Sequence, residues 1–405
     1  MHPLIHDWNK TDSPRPAVVM LDDETLRDGL QSPSVRNPDI GEKLRILHLI
    51  DRLGIDTADI GLPGAGPHVV RDVERLAREI AGERLKVRAN CAARTVIADI
   101  KPVAEISQKT GLAIECCTFI GSSPLRQYAE GWTLDQLLKL TEEAIGFAVG
   151  EGLQVMYVTE DTTRADPDTL RALYSTAIRA GAKRVCVSDT VGHATPHGAA
   201  AVVKFIASVV DECGGGVGID WHGHKDRDFA VINTLAALDA GATRLHGAAI
   251  GIGERVGNTP MELLLMNLVL MGYIERDLSA LCEYCDVVSA ATGVPIPANY
   301  PVVGRDAFRT ATGVHAAAVI KAFRKNDQAL VDAVYSGVPA GLIGREQQID
   351  VGPMSGKSNV IFWLERRGIP ATEELVDRIF VRAKASSTVL TEAELLEEVR
   401  SSANR

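Results

Sequence analysis

No apolar run in this chain comes near the roughly 20 residues that a membrane-spanning helix needs; the longest, such as Met261 to Met271, fall well short. The opening MHPLIHDWNK has none of the apolar stretch of a secretory signal. The expectation is a cytoplasmic protein with no membrane partner. An excess of basic charge is also missing: 43 Lys and Arg stand against 53 Asp and Glu, a net charge of −10, with both signs spread along the chain. Without a basic stripe there is no electrostatic footprint for nucleic acid, and none is expected as a partner. A disulfide framework is absent too. Seven cysteines is an odd number, and Cys91, Cys116, Cys117 and Cys186 fall inside apolar runs, as reduced, buried small hydrophobes do. Cys282 and Cys285 form a CxxC, but LCEYCDVV is a helical setting with no second pair nearby, so neither redox nor zinc chemistry is expected of it.

What the chain does have is alternation. Eight short β-branched or apolar runs, at Val18–Asp22, Thr57–Leu62, Lys86–Cys91, Leu112–Ile120, Gln154–Thr159, Arg184–Ser188, Gly218–Trp221 and Arg244–Gly251, are separated by longer segments of helical period. Several of those segments, such as TLDQLLKLTEEAIGFAVGEG, end in glycine as a helix C-cap does. Strand, helix, strand without hairpin signals means a parallel sheet. Eight such units in one stretch match a closed (β/α)8 TIM barrel, typically of roughly 250 residues, better than an open doubly wound sheet. A chain of 405 residues exceeds one such core, and after Gly272 the alternation gives way to mostly helical segments around the Pro-rich PIPANYPVVG. The predicted division is a flexible N-terminal segment over 1–16, a catalytic barrel over 17–275 and a mostly helical C-terminal subdomain over 276–405.

Catalytic groups of such barrels come from the C-terminal ends of strands. Five predicted strand ends carry reactive residues: DDETLRDGLQ, VTEDTTR, SDTVG, WHGHKD and GIGERVGN. The sharpest is His222-Gly223-His224, because residues i and i+2 of a strand point to one face and can grip one ion together. Asp28, at the end of the first strand, is the natural third ligand, and two histidines with one carboxylate leave positions open for substrate. That set does not choose among Mg²⁺, Mn²⁺, Co²⁺ and Zn²⁺. Two glycine-rich segments invite a nucleotide reading and fail it. Gly251, Gly253 and Gly257 are spaced GxGxxxG rather than GxGxxG, and GPMSGKS (352–358) is one residue short of a phosphate loop.

These residues together resemble the acyl-CoA-dependent, Claisen-condensing branch of the DRE-TIM metallolyases, which includes isopropylmalate, homocitrate and citramalate synthases. The resemblance rests on Thr25-Leu26-Arg27-Asp28-Gly29-Leu30-Gln31, Glu160-Asp161, Asp189-Thr190-Val191-Gly192, His222-Gly223-His224 and the segment from Gly251 to Asn258. Gly304-Arg305-Asp306-Ala307-Phe308 and Gly313-Val314-His315 resemble the subdomain that in this family reaches into the partner's barrel. The resemblance implies that Asp28, His222 and His224 hold a divalent metal with Asn258 beside it. It implies that Arg27 and Thr190, with Gln31 and Glu254 near them, bind an α-keto acid. Glu160 and His315 of the other subunit would handle the acetyl-CoA proton, with Tyr335 a further candidate. The implied reaction condenses acetyl-CoA with the keto acid to a 2-substituted malate and CoA, in a homodimer whose C-terminal subdomains are swapped between subunits.

The keto acid is less sharply drawn. The segment TFIGSSPLRQYAEGW resembles the homocitrate synthase stretch whose Leu-Arg pair supplies an arginine for a distal carboxylate, and Arg126 with Ser122 and Ser123 is the matching anion pocket. Asn90 stands where homocitrate synthases usually carry histidine. The expectation is a keto acid with an anionic tail, such as oxaloacetate, 2-oxoglutarate or phosphonopyruvate, the last giving 2-phosphonomethylmalate. A branched or aromatic keto acid is the runner-up. The related hydroxymethylglutaryl-CoA lyases and aldolases share barrel and metal site, but the lyases carry a cysteine in the loop that here reads GIGERVGN.

Overall fold

The computed structural model describes residues 2–9 and 16–403. They fall into two compact units, Ser13–Ile296 and a second that joins Met1–Asp12 to Pro297–Arg405. In the first, eight strands alternate with helices: β1 (Met20–Asp23), α1 (Ile40–Arg52), β2 (Thr57–Asp59), α2 (Pro67–Glu83), β3 (Arg88–Arg94), α3 (Ile97–Thr110), β4 (Glu115–Gly121), α4 (Pro124–Glu130), α5 (Leu134–Gly150), β5 (Gln154–Glu160), α6 (Pro167–Ala180), β6 (Arg184–Asp189), α7 (Pro196–Glu212), β7 (Gly218–Gly223), α8 (Ala230–Asp239), β8 (Arg244–Gly247), α9 (Met261–Leu270) and α10 (Leu281–Thr292). The strands run parallel in sequence order, and β8 closes on β1 with Asp22 opposite His246. This is the TIM barrel that the alternation predicts. The last predicted run, Arg244–Gly251, stops as a strand at Gly247, because Ala249–Gly251 turns into a 3-10 helix. No helix of the described residues is long and apolar enough to cross a membrane.

Local chemistry starts the helices. Asp39 with Glu42 and Thr133 with Gln136 form reciprocal capping boxes at α1 and α5, each satisfying backbone donors that a helix end leaves open. The barrel interior is ionic at the level of Asp22, Asp220, Arg244 and His246, all at most 2 % exposed. Arg244 Nε lies 2.5 Å from Asp220 Oδ2 and its Nη2 lies 2.6 Å from Glu115 Oε2, while Arg184 Nε lies 2.6 Å from Asp220 Oδ1. Such charges persist in a core only when paired.

The boundary differs from the expected 275/276. Residues 276–296 belong to the barrel unit, because α10 buries Leu281, Tyr284, Cys285 and Val288 and places the Tyr284 hydroxyl against Asp23 and Thr25. Of the segment expected to be flexible, residues 1 and 10–15 lie outside the described residues. Residues 2–9 group instead with the C-terminal unit, where His2 Nε2 lies 3.6 Å from Asp327 Oδ2. That unit contains β9 (Arg309–Thr310), α11 (Gly313–Phe323), α12 (Gln328–Ala333), β10 (Gln348–Ile349), α13 (Lys357–Glu365), α14 (Glu373–Ala385) and α15 (Glu392–Ala403), with β9 and β10 paired in parallel. Val360, Leu364, Val376 and Ile379 centre one of its cores, and Ala316, Val319, Ile320 and Phe362 another. Polar groups in and beside GPMSGKS bond within this unit. Ser355 Oγ donates to Ala311 O at 2.7 Å, and Asn359 Oδ1 accepts from Gly356 N at 3.1 Å.

The buried Asp23 carboxyl accepts from Thr25 N at 2.9 Å and from the Tyr284 hydroxyl. Burial pushes it from 3.8 to about 7, against the pull of those hydrogen bonds. A folded-state pKa above the unfolded one means a contribution fully present below about pH 4 and lost progressively as pH rises through 7. Asp23→Asn removes the titration. The stability of this variant relative to wild type should therefore rise from about pH 5 to about pH 7, by at most about 1.4 kcal/mol per pH unit. Thermal melts across that range check this, and a flat difference would show that the carboxyl is ionised throughout.

Candidate metal and active site

The C-terminal ends of β1, β5, β6, β7 and β8 meet at one rim, and the residues singled out there gather around one cavity of about 160 Å³. Arg27, Asp28, Gln31, Glu160, Thr190, His222, His224 and Glu254 all line it. Two consecutive positions of one face of β7 and its extension place His222 Nε2 3.3 Å from His224 Nε2. Asp28 Oδ2 lies 3.9 Å from the former and 3.6 Å from the latter. Ligands about 2.1 Å from one ion are roughly 3.0–3.4 Å apart, so this triangle needs only a slight contraction to share one. The protonation states suit it. Burial and neighbouring His222 push His224 down to about 4, leaving a neutral ring. Against burial, Arg27 and the two histidines hold Asp28 below its usual value. Asn258 stands behind the triangle, its Nδ2 donating to Asp28 Oδ2 at 2.6 Å, while its buried Oδ1 has no hydrogen-bond partner among the described residues.

Arg27 is gripped by three acidic side chains, Asp59 Oδ2 at 2.8 Å, Asp28 Oδ1 at 3.2 Å, and Glu24, of which burial pushes Asp59 well above the usual carboxylate range despite Arg27. Although burial opposes the charge, Glu24, Asp59 and Asp28 raise its pKa well above the usual value, so a fixed cation sits beside the triangle. Glu24 also faces two histidines, and despite burial, Arg27 and those rings hold it well below the carboxylate range. Burial lowers His246, but Asp22, Asp220 and Glu24 outweigh it and bring the ring to about 10. Thr190 Oγ1 accepts from Asp161 N at 2.8 Å. Burial raises Glu160 above its ordinary value, the nearby Arg126 only partly offsetting it.

One predicted residue of the barrel unit stands apart from the cavity. Arg126 does not line it; the guanidinium is half-exposed, 2.9 Å from Glu130 Oε1 and 3.9 Å from Glu160 Oε2. His315, exposed on α11 of the C-terminal unit, stacks on Tyr335 with centroids 4.2 Å apart. The glycines of GIGERVGN serve the loop's own path. A Cβ on Gly257 would meet Gly251 O at 1.8 Å, and one on Gly253 would meet Asn258 Nδ2 at 2.3 Å. The loop is entered through Ile250 at φ 48°, a strained conformation for a β-branched residue, with Ile250 N donating to Glu262 Oε2 at 2.8 Å.

Sequence reasoning missed Glu24, Asp59, His246 and the apolar wall. Glu24 sits within DDETLRDGLQ, so its nearness to a strand end was the available signal, whereas Asp59 lies in the second apolar run, outside the five motifs. Cys117, Phe119, Met156, Val158 and Cys186 face the cavity, so two thiols read only as core filler also shape it.

A barrel rim with a triangle of two histidines and one carboxylate beside a half-buried arginine is a candidate metal site, and sequence comparison places the chain further. The HMGL-like family matches residues 18–289. A homocitrate synthase AksA of Methanopyrus kandleri is 34% identical over 380 residues, covering 91% of this chain and 88% of its own length. A probable 2-isopropylmalate synthase of the same organism is 34% identical over 373 residues, covering 91% and 70%. A homocitrate synthase of Pyrococcus horikoshii is 31% identical over 382 residues, covering 94% and 99%. Among solved structures, the hydroxymethylglutaryl-CoA lyase of Pseudomonas aeruginosa superposes with a TM-score of 0.56 at 21% identity, covering 68% of this chain and 93% of that one. That likeness establishes the fold. The chain belongs to the HMGL-like family and, within it, to the Claisen-condensing branch of the DRE-TIM metallolyases, a branch of acyl-transferring enzymes.

If the triangle takes a divalent ion, Mn²⁺ added to metal-free protein should raise the melting temperature, by the equivalent of about 2.7 kcal/mol at a hundredfold excess over Kd. His224→Ala should abolish the shift. An equal shift in the variant would place the ion elsewhere.

Proposed function

We propose that this protein condenses acetyl-CoA with an α-keto acid to give a 2-substituted malate and free CoA. The observation that carries this is the triangle of Asp28, His222 and His224 beside the carboxylate-gripped Arg27, within a chain related to synthases over nine-tenths of its length. Asp28, His222 and His224 would hold a divalent metal, with Asn258 positioning Asp28. Such an ion, when bound, supplies Lewis-acid polarisation of a carbonyl. Arg27 offers a fixed guanidinium to oxygen on which negative charge develops, in a setting that excludes much of the water. Thr190, whose oxygen already accepts from Asp161 N, keeps its hydroxyl proton for the substrate carboxylate.

Glu160, with its raised pKa, is the candidate for handling the thioester's methyl proton together with His315 of a second subunit in a swapped homodimer. Loss of that proton leaves an enolate whose carbon bonds to the keto carbon, while the keto oxygen takes up a proton. Water then adds to the thioester, the C–S bond breaks, and CoA leaves as thiol. Arg126, at the rim beside Glu160, supports a keto acid with an anionic tail, as phosphonopyruvate, oxaloacetate and 2-oxoglutarate have. The apolar wall of Cys117, Phe119, Met156 and Val158 favours a second reading, a branched or aromatic keto acid.

Purified protein incubated with acetyl-CoA, a divalent metal and a panel of keto acids should release thiol with one member, and both chelation and Asp28→Ala should stop it. If the tail is anionic, Arg126→Ala should raise KM for that keto acid roughly 10- to 100-fold, the scale of a lost charge-assisted hydrogen bond. If the wall selects, branched or aromatic acids will turn over and Arg126→Ala will leave KM unchanged. Silence across the panel with metal bound would defeat the synthase reading.

A further inference from the structure

We propose that Glu24 is a positioning residue that sets the His222 ring and the Arg27 guanidinium together, and that His246, anchored on Asp220, holds Glu24 for both tasks. This rests on the reading that Asp28, His222 and His224 bind a divalent ion. Glu24 lies one residue beyond β1 and four before Asp28, and its side chain is 3 % exposed. One carboxylate oxygen, Oε2, pairs with Arg27 Nη2. The other, Oε1, is 3.0 Å from His246 Nδ1 and 3.4 Å from His222 Nδ1.

His246 has no freedom to turn away. Its Nε2 lies 2.9 Å from Asp220 Oδ2, and Asp220 is itself held by Arg184 and Arg244. With a carboxylate oxygen at hydrogen-bond distance from each ring nitrogen, His246 donates at both ends and keeps no lone pair for an ion. Donor atoms of Glu24, His222 and His246 do lie within 4.8 Å of one another, as in a metal site. The two-sided bonding of His246 makes that trio a strut instead.

The strut decides which nitrogen of His222 is free. An Nδ1–H directed at Glu24 Oε1 leaves Nε2 with its lone pair, 3.3 Å from His224 Nε2 and on the side of Asp28. A carboxylate behind a ligating imidazole fixes ring orientation and tautomer in this way, and loss of such a partner typically weakens metal binding about 10- to 100-fold. Here the same carboxylate also restrains Arg27, so one side chain couples the ion's ligand to the cation that faces substrate.

The test uses metal-free full-length protein and Mn²⁺, with affinity from equilibrium dialysis for wild type, Asp28→Asn, Glu24→Gln and His246→Gln, each checked for folding by its melting curve. Glu24→Gln and His246→Gln should raise Kd about 10- to 100-fold while Asp28→Asn abolishes binding. Nitrogen-15 NMR of histidine-labelled wild type, assigned with His222→Asn, should show His222 protonated at Nδ1 and bare at Nε2. This readout needs neither metal nor a folded Glu24 variant. A wild-type His222 carrying its proton on Nε2, or a folded Glu24→Gln with unchanged Kd beside an Asp28→Asn that has lost the ion, overturns the role of Glu24 alone. Undiminished Mn²⁺ binding by Asp28→Asn overturns the metal reading beneath it.

Discussion

Charge buried inside a barrel has to be neutralised there, and this constraint runs from the closed interior up to the cavity. Asp220 sits between Arg184 and Arg244 on one side and His246 on the other. His246 passes the constraint to Glu24, and Glu24 to Arg27, which Asp59 and Asp28 complete. A lone buried carboxylate or guanidinium in this column would be far less stable than a paired one. The site is therefore preorganised by electrostatic necessity: Arg27 and Asp28 cannot shift without unpairing charges several residues below them.

That arrangement separates two kinds of residue around the cavity. On the β1, β7 and β8 side the wall is charged and densely hydrogen-bonded, which suits an ion and developing oxyanions. Toward β4 to β6, below Glu160, Ser188 and Thr190, it includes Cys117, Phe119, Met156, Val158 and Cys186, which offer shape and little polarity. In the proposed reaction the first side would carry the bond-making chemistry, and the second, with the rim helix that carries Arg126, would discriminate among keto acids. Relatives named for different products, a 2-isopropylmalate and a homocitrate synthase, match the chain at the same 34% identity.

Much of this was legible beforehand, because barrel strands and rim motifs are local signals. Short β-branched or apolar runs located all eight strands, and β2, β5, β6, β7 and β8 start at the residues expected. His222-Gly223-His224 announced a shared face by spacing alone. Asp59, Asp220 and His246 gave no such signal. A single Asp or His within a strand reads the same whether it faces solvent or a buried arginine, and only strand register puts Asp22 opposite His246. The boundary after Gly272 misled because α10 is helical like the segments that follow it, while its Tyr284 finds a partner more than 250 residues back, in Asp23.

By itself, then, the amino-acid order determined the eight-fold alternation, the family and the residue types that meet at the rim, since each is written within a few consecutive positions. Tertiary structure alone decided which charges neutralise one another, which nitrogen of His222 points outward, and that two cysteines wall the cavity. Those depend on closure of β8 onto β1, which brings the two ends of the barrel sequence within hydrogen-bond distance.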